Sequence, residues 1–423
     1  MPIKKNTNID ILVTEFNEKG EAISYHDKIK IITNGLLPDE KATVKIIKPG
    51  INVGFAKVVE ITKENKSRVT PKCENVSCTG CTLLNAEYSY QLEIKKNLLA
   101  GLYGREMQFN RGINIIDSDQ YAYRNKVVLP IGKRNDEIII GIYRRNSHDI
   151  IDYKSDCVVL NKRMNEIIFK IKGLLNHITD TDILEHLFIR GEKDGYQVGL
   201  IVKETPTQIK NILNDLYKNN ADITSVFYSI SSKTNSVVIK DPVFLNGDKF
   251  VKLSTSKGSY KVSPSAFFQA NIPTLNKILD NISEIISKTE PKRILDLYSG
   301  CGVLSDISGI DRTCAEINSS AFEFIEDTKS KFITADIAGL SEEIGDGGYD
   351  MIIVDPPRKG IDKTSIDAIN KSNAETIIYL ACDPKNQKRD IDLLTNYELV
   401  DLKGYDMFPN TMHIETLAVL KRK

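Results

Sequence analysis

The segment Arg293-Ile-Leu-Asp-Leu-Tyr298 reads as a buried strand and leads directly into Ser299-Gly300-Cys301-Gly302. Glycines in such a loop let the backbone come close to a ligand, which makes Gly300 a candidate cofactor contact. A dinucleotide site normally adds a third glycine so that a helix amino end can approach a pyrophosphate, but Val303-Leu304-Ser305 follows here. The loop therefore favours a cofactor without phosphates.

The chain around this segment, residues 263–423, alternates apolar strands with amphipathic helices, which predicts a doubly wound, Rossmann-like α/β domain. Acidic or reactive residues follow successive predicted strands, where open α/β sheets bind their ligands. These residues are Glu316, Asp336, Asp355 and Cys382. Glu316 stands twenty residues after Asp296, a spacing typical of a carboxylate that binds two ribose hydroxyls. Each acid alone could be a helix N-cap, but together they favour S-adenosylmethionine.

Cys382 closes the apolar run Thr376 to Ala381, and His413-Ile-Glu415 follows near the carboxyl terminus. A thiol in this place can act as a nucleophile, and a carboxylate can act as a base. Carbon C5 of uracil is too poor a nucleophile to take a methyl group directly, so an enzyme must first add a thiolate at C6. Cys382 and Glu415 fit that pair, whereas an inert buried thiol is the alternative for Cys382. His413 is interpreted as a structural residue.

Asp355-Pro-Pro-Arg358 offers a second interpretation of the same domain, because its two prolines form a stiff ledge on which a planar base could lie. Many amine methyltransferases carry a similar motif. Methylation of an amine needs no thiol, so this interpretation predicts activity that survives Cys382→Ala.

Two further domains are predicted before the α/β domain. Residues 1–64 contain five short alternating segments separated by Gly, Asn and Pro turns, which predict a small barrel of the oligonucleotide-binding kind, although any small β-module fits the pattern. Mixed helices and strands fill a central α+β domain, residues 65–262.

Seven cysteines are an odd number for a disulfide framework and favour a cofactor or a reactive thiol. Four of them, Cys73, Cys78, Cys81 and Cys157, lie in the first half of the chain and supply enough thiolates for an iron–sulfur cluster or for tetrahedral zinc. The residues alone leave both open.

Composition limits the partners. Lys plus Arg and Asp plus Glu are equal at 57 each, which argues against a protein that coats nucleic acid indiscriminately but allows a local basic groove. The chain contains no run of 18 apolar residues, and its first residues lack the apolar stretch of a signal peptide. We therefore expect a cytoplasmic monomer without membrane association.

With these motifs in view, the sequence resembles the RNA uracil-5 methyltransferases, which form 5-methyluridine in ribosomal and transfer RNA. The resemblance covers essentially the whole chain. The matching stretches share their order along the chain; they are Cys73-x4-Cys-x2-Cys81, Tyr123-Arg-Asn-Lys126, Gly141 to His148 with Cys157, Phe267-Phe-Gln269, Asp296 to Gly302, Asp355-Pro-Pro-Arg358, Cys382-Asp-Pro384, Asp406-Met-Phe-Pro409 and His413-Ile-Glu415.

The resemblance implies the roles of individual residues. Cys382 attacks C6 of the uracil, C5 takes the methyl group from S-adenosylmethionine, and Glu415 removes the C5 proton. Positions that match the family's cofactor contacts are Gln269, Tyr298, Val303, Glu316, Asp336 and Asp355. Arg124 and Phe267 fall where the family holds the flipped nucleotide, which must leave the stack because its faces are attacked.

The resemblance also implies that the four cysteines of the first half hold a four-iron, four-sulfide cluster with a structural role. The first domain is implied to be a TRAM module, an RNA-binding barrel. Ribosomal RNA is the expected substrate. A transfer RNA enzyme of the archaeal type is the alternative within the family.

Two departures from the family pattern stand out. The gap between Cys73 and Cys78 is four residues where relatives often have five, which bears on the type of cluster. The segment between Gly302 and Asp336 is shorter than in relatives, and 303–308 leaves little room for the usual first helix of the cofactor fold. The shortening motivates a further alternative, a non-catalytic RNA-binding protein that keeps a degenerate methyltransferase domain.

Overall fold

The computed structural model describes residues 3–75, 78–104, 112–145, 147–205, 207–231, 239–307 and 309–423. Three segments discussed above include residues outside the described part of the chain: 76–77 in the stretch Cys73-x4-Cys78, Asn146 in the stretch Gly141 to His148, and Ser308 at the end of the shortened segment.

The amino-terminal region is a closed barrel of five strands in the order β1-β2-β3-β5-β4, which confirms the barrel that the turn pattern predicts. Apolar residues alternate along each strand, so one face of the curled sheet forms a small core around Ile31, Val44 and Ile46. The strands are β1 (Asn8–Phe16), β2 (Ala22–His26), β3 (Ile29–Thr33), β4 (Lys41–Lys48) and β5 (Val53–Lys63).

A helix and a mixed sheet follow the barrel. The helix is α1 (Tyr88–Tyr103), and the sheet has seven strands in the order β13-β12-β11-β10-β7-β8-β9. Helices α2 (Lys162–Leu175) and α3 (Thr207–Lys218) cover one face of this sheet and form its main core. The strands are β7 (Lys126–Arg134), β8 (Glu137–Tyr143), β9 (Ile150–Asp152), β10 (Leu184–Glu192), β11 (Gly195–Val202), β12 (Ile223–Ile230) and β13 (Val243–Gly247).

A separate hairpin, β14 (Val251–Ser254) and β15 (Ser259–Val262), leads into the carboxyl-terminal sheet of eight strands. The order of that sheet is β18-β17-β16-β19-β20-β22-β21-β6, with β16 to β20 parallel and β22 antiparallel to both neighbours. Its strands are β6 (Asn114–Ile116), β16 (Arg293–Leu297), β17 (Asp311–Glu316), β18 (Lys331–Thr334), β19 (Met351–Val354), β20 (Thr376–Ala381), β21 (Tyr397–Tyr405) and β22 (Glu415–Arg422). This is the doubly wound α/β arrangement that the alternating pattern predicts.

The edge strand β6 comes from the segment that the sequence pattern places in the central domain. It pairs in parallel with β21. Helix α1, from the same part of the chain, packs Leu99 and Tyr103 into the core of the large sheet. The middle of the chain therefore contributes directly to the carboxyl-terminal core.

The two faces of the large sheet are covered unequally. One face carries α1, α5 (Ser341–Asp346), α6 (Lys363–Lys371) and α7 (Pro384–Leu393). The other face carries α4 (Ile272–Thr289), together with loop residues such as Leu304. In the described part of the two connections that flank β17, the only regular helical element is the 3₁₀ turn Ser319–Ala321. The missing helix after the glycine loop, predicted from the shortened segment, is thus a feature of the structure.

Candidate active site

Cys382 and Glu415 lie close together in the large sheet, where the carboxyl end of β20 meets the amino end of β22. Strand β20 ends at Ala381, whose partner on the antiparallel strand β22 is Thr416. Cys382, which follows Ala381, therefore lies opposite Glu415, which precedes Thr416. The Thr416 hydroxyl donates a hydrogen bond to the Ala381 carbonyl, 3.1 Å away, and fixes this register. Cys382 is half-buried, and Glu415 is only 2% exposed. The ladder alone brings the predicted nucleophile and the predicted base together.

Burial controls the protonation of this pair. It raises the pKa of the Glu415 carboxyl well above its ordinary value, and the charge of Asp355 adds to the effect while Arg358 opposes it. Burial also raises the pKa of the Cys382 thiol to about 11, with a further contribution from Glu415. A carboxylate with a raised pKa is a stronger base. The thiol, in contrast, must lose its proton before it can attack.

The backbone after Cys382 is held by the start of α7. Asp383 is the N-cap of this helix, and its carboxylate accepts hydrogen bonds from the amides of Lys385 and Asn386, both at 3.1 Å. The Asn386 side chain donates to the carbonyl of Arg358 at 2.7 Å. The loop of the Asp-Pro-Pro-Arg motif is therefore tied to the helix that positions the thiol.

Asp355 lies at the end of β19, between the Cys382 and Glu415 pair and the glycine loop. The Gln269 amide donates a hydrogen bond to its carboxylate at 3.3 Å. Burial raises the pKa of Asp355 to about 7, and the nearby charge of Asp296 raises it further while the Gln269 contact lowers it. Two predicted cofactor contacts, Gln269 and Asp355, are thus in direct contact with each other.

The glycine loop has an unusual backbone. Three of its residues have positive φ: Tyr298 at 57°, Gly300 at 53° and Gly302 at 71°. For a tyrosine this conformation is strained, and strained residues of this kind concentrate at ligand sites. The Gly300 amide donates to Glu316 at 3.1 Å, and the other carboxylate oxygen of Glu316 accepts from the Asn318 amide at 2.9 Å. Gly300 and Glu316, predicted separately, therefore form one polar cradle.

The two remaining cofactor candidates are placed differently. Val303 is buried in the core beneath the loop. Asp336 is exposed and caps a 3₁₀ turn, accepting from the Ala338 amide at 3.3 Å. Burial raises the pKa of Tyr298, and the charge of Asp336 makes a minor contribution. The structure therefore gives Asp336 the N-cap role that is its simplest explanation, at the rim of the same loop.

Phe267 is 57% exposed and lies beside the glycine loop, where a Cβ added to Gly300 would be 3.7 Å from its ring. An exposed aromatic ring at a ligand site is suited to stacking against a base. Arg124 sits at the start of β7, where its Nε donates to the Lys126 carbonyl at 2.9 Å and its backbone bridges to Asn271. Burial lowers the pKa of His413, and the charges of Arg358 and Arg124 contribute to the shift. Both arginines therefore lie near the motif that ends in Glu415.

Two residues outside the predicted site hold the segment that carries Phe267 and Gln269. Asn125 donates from its backbone to Ala270 and from its side chain to the Gln269 carbonyl at 3.0 Å. Arg190 is fully buried and donates to the carbonyls of Ser263 and Ala266, each at 2.8 Å. Asn125 was visible within the matching motif Tyr123 to Lys126, but nothing in the sequence singles out Arg190.

The four cysteines of the first half line one cavity of about 400 Å³ between the barrel and the central sheet. All are free thiols, and burial raises the pKa of Cys78 to about 11, with Cys157 and Cys73 contributing. Arg145 also lines this cavity and bonds to Glu21 of the barrel at 3.0 Å. Among the described residues, no three His, Cys, Asp or Glu side chains form a group that could hold a metal ion. The four thiols therefore line one cavity, but they are not arranged as a set of metal ligands.

Within the part of the chain that is described, no helix is long and apolar enough to cross a membrane.

The parallel strands, the glycine loop and the acidic residues at the carboxyl ends of those strands form the arrangement expected of an S-adenosylmethionine-dependent methyltransferase. The family model described as tRNA (Uracil-5-)-methyltransferase matches residues 316–423. An RNA methyltransferase of Staphylococcus epidermidis, described as uncharacterized, is 30% identical over 100% of this chain and 99% of its own length. A similarly described protein of Prochlorococcus marinus is 33% identical over 92% of this chain and 99% of its own length. The chain belongs to the RNA uracil-5 methyltransferase family and is an RNA uracil-C5 methyltransferase.

The alignment with the Staphylococcus epidermidis relative spans 456 positions, more than the 423 residues of this chain, so it includes gaps in this chain. A solved structure with the same fold is tRNA (uracil-54, C5)-methyltransferase of Pyrococcus abyssi in complex with S-adenosyl-L-homocysteine. It is 23% identical, with a TM-score of 0.78 over 97% of this chain and 100% of that chain.

Proposed function

We propose that this protein forms 5-methyluridine in ribosomal RNA, with Cys382 as nucleophile and Glu415 as base. The observation that carries the proposal is the juxtaposition of this thiol and this carboxylate at the ends of β20 and β22. An amine methyltransferase needs neither, so the geometry favours carbon methylation.

The reaction begins when the Cys382 thiolate adds to C6 of a flipped uracil, and the electron pair of the C5–C6 double bond moves to make C5 an enolate carbon. S-adenosylmethionine supplies an electrophilic methyl group. C5 forms a bond to that methyl group, and S-adenosylhomocysteine leaves. Glu415 then takes the C5 proton, the double bond re-forms, and the thiolate is expelled from C6. The raised pKa of Glu415 suits it to remove a proton from carbon.

The cofactor is proposed to lie over the glycine loop. The Glu316 carboxylate, already held by the Gly300 amide, would bind the ribose hydroxyls. The other proposed contacts line the same edge of the sheet; they are Gln269, Tyr298, Val303, Asp336 and Asp355. On the RNA side, Phe267 would stack on the flipped uracil, and Arg124 would bind the nucleotide.

The cysteine cavity is proposed to hold a four-iron, four-sulfide cluster on Cys73, Cys78, Cys81 and Cys157. Four free thiols around one cavity fit that group by donor chemistry. Methyl transfer needs no redox step, so the cluster would hold the barrel, proposed to be a TRAM module, against the central domain. The proposed boundaries of the three domains are residues 1–64, 65–262 and 263–423.

Incubation with S-adenosylmethionine and RNA that contains 5-fluorouridine tests the mechanism. Fluorine at C5 blocks proton removal, so a protein–RNA adduct that survives denaturation should accumulate. Cys382→Ala should give no adduct. Cys314→Ala removes a fully buried thiol elsewhere in the domain and should leave the adduct intact. An adduct that persists in Cys382→Ala would overturn the assignment.

Transfer RNA is the second candidate substrate, favoured by the description of the matching family model and by the activity of the Pyrococcus abyssi enzyme. The barrel and the cysteine cavity favour ribosomal RNA for a chain of bacterial origin, because the family resemblance implies that bacterial transfer RNA members generally lack both features. Methylation of separated ribosomal and transfer RNA, followed by location of the modified nucleotide, decides between them.

A further inference from the structure

The glycine loop of this protein lacks the support that the fold normally provides. In doubly wound domains the helix after the first strand stiffens the loop and directs its amino end at the ligand. Here β16 and β17 are joined by residues 298–310, whose described part contains no helix, and the connection from β17 to β18 contains only a 3₁₀ turn. Another element must hold the loop in its positive-φ conformation.

Arg312 occupies the position from which both connections can be held. It lies on β17 and is only 5% exposed. Its Nη1 donates to the Gly302 carbonyl at 2.7 Å, its Nη2 to Asp327 at 3.1 Å, and its Nε to the Ser330 hydroxyl at 2.8 Å. One guanidinium therefore fastens the end of the glycine loop to the connection that follows β17. Bonds from a fixed, charged fork are the stronger kind of hydrogen bond.

Asp306 extends this network from Arg312 to β15. This carboxylate forms an ion pair with Arg312 at 3.1 Å and accepts a hydrogen bond from the Tyr260 hydroxyl at 2.8 Å. Tyr260 belongs to β15, and its ring packs against Phe268 at 5.8 Å between centroids. Phe268 directly precedes Gln269, so the same network reaches a proposed cofactor contact.

We propose that Arg312, with Asp306 and Tyr260, is a positioning unit for S-adenosylmethionine that takes the place of the missing helix. This inference rests on the proposed cofactor site at the glycine loop. Arg312 acts through the Gly302 carbonyl and makes no contact with the reacting atoms. Its loss should therefore weaken cofactor binding, while the Cys382 and Glu415 pair keeps its geometry on the other strands.

The test compares Arg312→Gln with wild type in the full-length protein. We expect the Kd and KM for S-adenosylmethionine to rise about tenfold or more, as the loss of charge-assisted hydrogen bonds predicts. The KM for RNA and the kcat at saturating cofactor should change less than about threefold, because uniform binding is lost rather than transition-state stabilisation. Tyr260→Phe, which removes one hydroxyl, should give a smaller rise of about threefold in the same Kd.

Arg163→Gln is the matched control. Arg163 lies on α2 in the central domain and also forms a two-pronged pair with a carboxylate, Asp222, at 2.5 and 2.7 Å. Its loss should leave the cofactor Kd unchanged. Should Arg312→Gln fail to fold, Arg312→Lys keeps the charge but loses the fork and should show the same rise in Kd.

An unchanged cofactor Kd in the Arg312 variants, or equal increases in the KM values for cofactor and RNA, would overturn the inference. Wild-type protein that forms the 5-fluorouridine adduct and binds the cofactor in that experiment would leave the proposed function standing. Wild-type protein that binds no S-adenosylmethionine would refute the proposed function itself.

Discussion

Two sites of the molecule are built differently. One is the proposed catalytic edge, where Cys382 and Glu415 lie at the ends of β20 and β22, and the other is the cavity lined by the four cysteines. At the catalytic edge, a strand ladder places Cys382 opposite Glu415 without any ligand. In the cavity, Cys73, Cys78 and Cys81 lie on loop segments outside the regular elements, held by turns and by single side chains such as Asn75, which donates to the Ser155 carbonyl at 2.9 Å. Paired strands fix positions by themselves, whereas loop thiols gain a defined arrangement from what they bind.

Cys382→Ala should cause the largest loss of activity at the catalytic edge. We expect 5-methyluridine formation to fall by about 10⁴-fold or more, because no other group supplies the C6 adduct. Transfer of a radioactive methyl group to RNA measures the loss. Cofactor binding and the melting temperature should stay near wild type, and methylation that survives the substitution would instead support the amine interpretation.

Glu415→Gln removes the base but leaves the nucleophile. The expected loss in kcat is about 10² to 10⁴-fold, the usual contribution of a positioned base. With ordinary uridine RNA, the methylated adduct should now accumulate as a denaturation-resistant band, since elimination requires proton removal. A variant that loses activity without accumulating adduct would assign Glu415 a role before methyl transfer.

The pH dependence of methylation follows from the same pair. The raised pKa of Glu415 means that its ionised, basic form increases as the pH rises through that value. The Cys382 thiolate fraction also increases toward its pKa of about 11. We expect kcat/KM to rise with pH from about 6 to 9, by up to about tenfold per unit where one proton is lost. A flat profile over this range would contradict the protonation states inferred from burial.

Cys81→Ser tests whether the cysteine cavity holds an iron–sulfur cluster. Bound iron should be lost, and the protein should be destabilised by about 1–3 kcal/mol, seen as a lower melting temperature. Methylation should fall less than about tenfold, since the catalytic edge does not depend on the cavity. Iron analysis and the 5-fluorouridine adduct are measured on the same preparation. Unchanged iron content would exclude Cys81 as a ligand.

Asp296→Asn tests the charge buried under the catalytic edge. Burial raises the pKa of Asp296 to about 7, above the value of about 3.9 for an unfolded chain, and one of its oxygens has no hydrogen-bond partner among the described residues. The folded state therefore holds this proton more tightly, and stability is lost as the pH rises from about 4 to 7. At pH 8 the substitution should increase the free energy of unfolding by about 1–3 kcal/mol, with little gain at pH 4. Denaturant unfolding at both pH values measures the difference.

The sequence predicted the catalytic domain from local patterns. The glycine loop after a buried strand, the acids after later strands and the thiol of Cys382 could be recognised because parallel strands bring their carboxyl ends to one edge. The five barrel strands could be predicted for a different reason, because apolar residues alternate along them and turn residues separate them. Helix α1 begins at Tyr88, because the residues just before it form turns and the Leu83 amide donates to the Asn410 carbonyl, which is distant in the sequence.

The sequence by itself determined which candidate groups are present: the proposed nucleophile and base, the glycine loop and four thiols in the first half. Only the tertiary structure decided how that chemistry is supported. Arg190 and Arg312 carry no local signal, because their roles arise from carbonyls and carboxylates that are distant in sequence or on separate loops. Periodicity reports which face of an element is buried, but a buried arginine acquires its partners only when separate segments pack together.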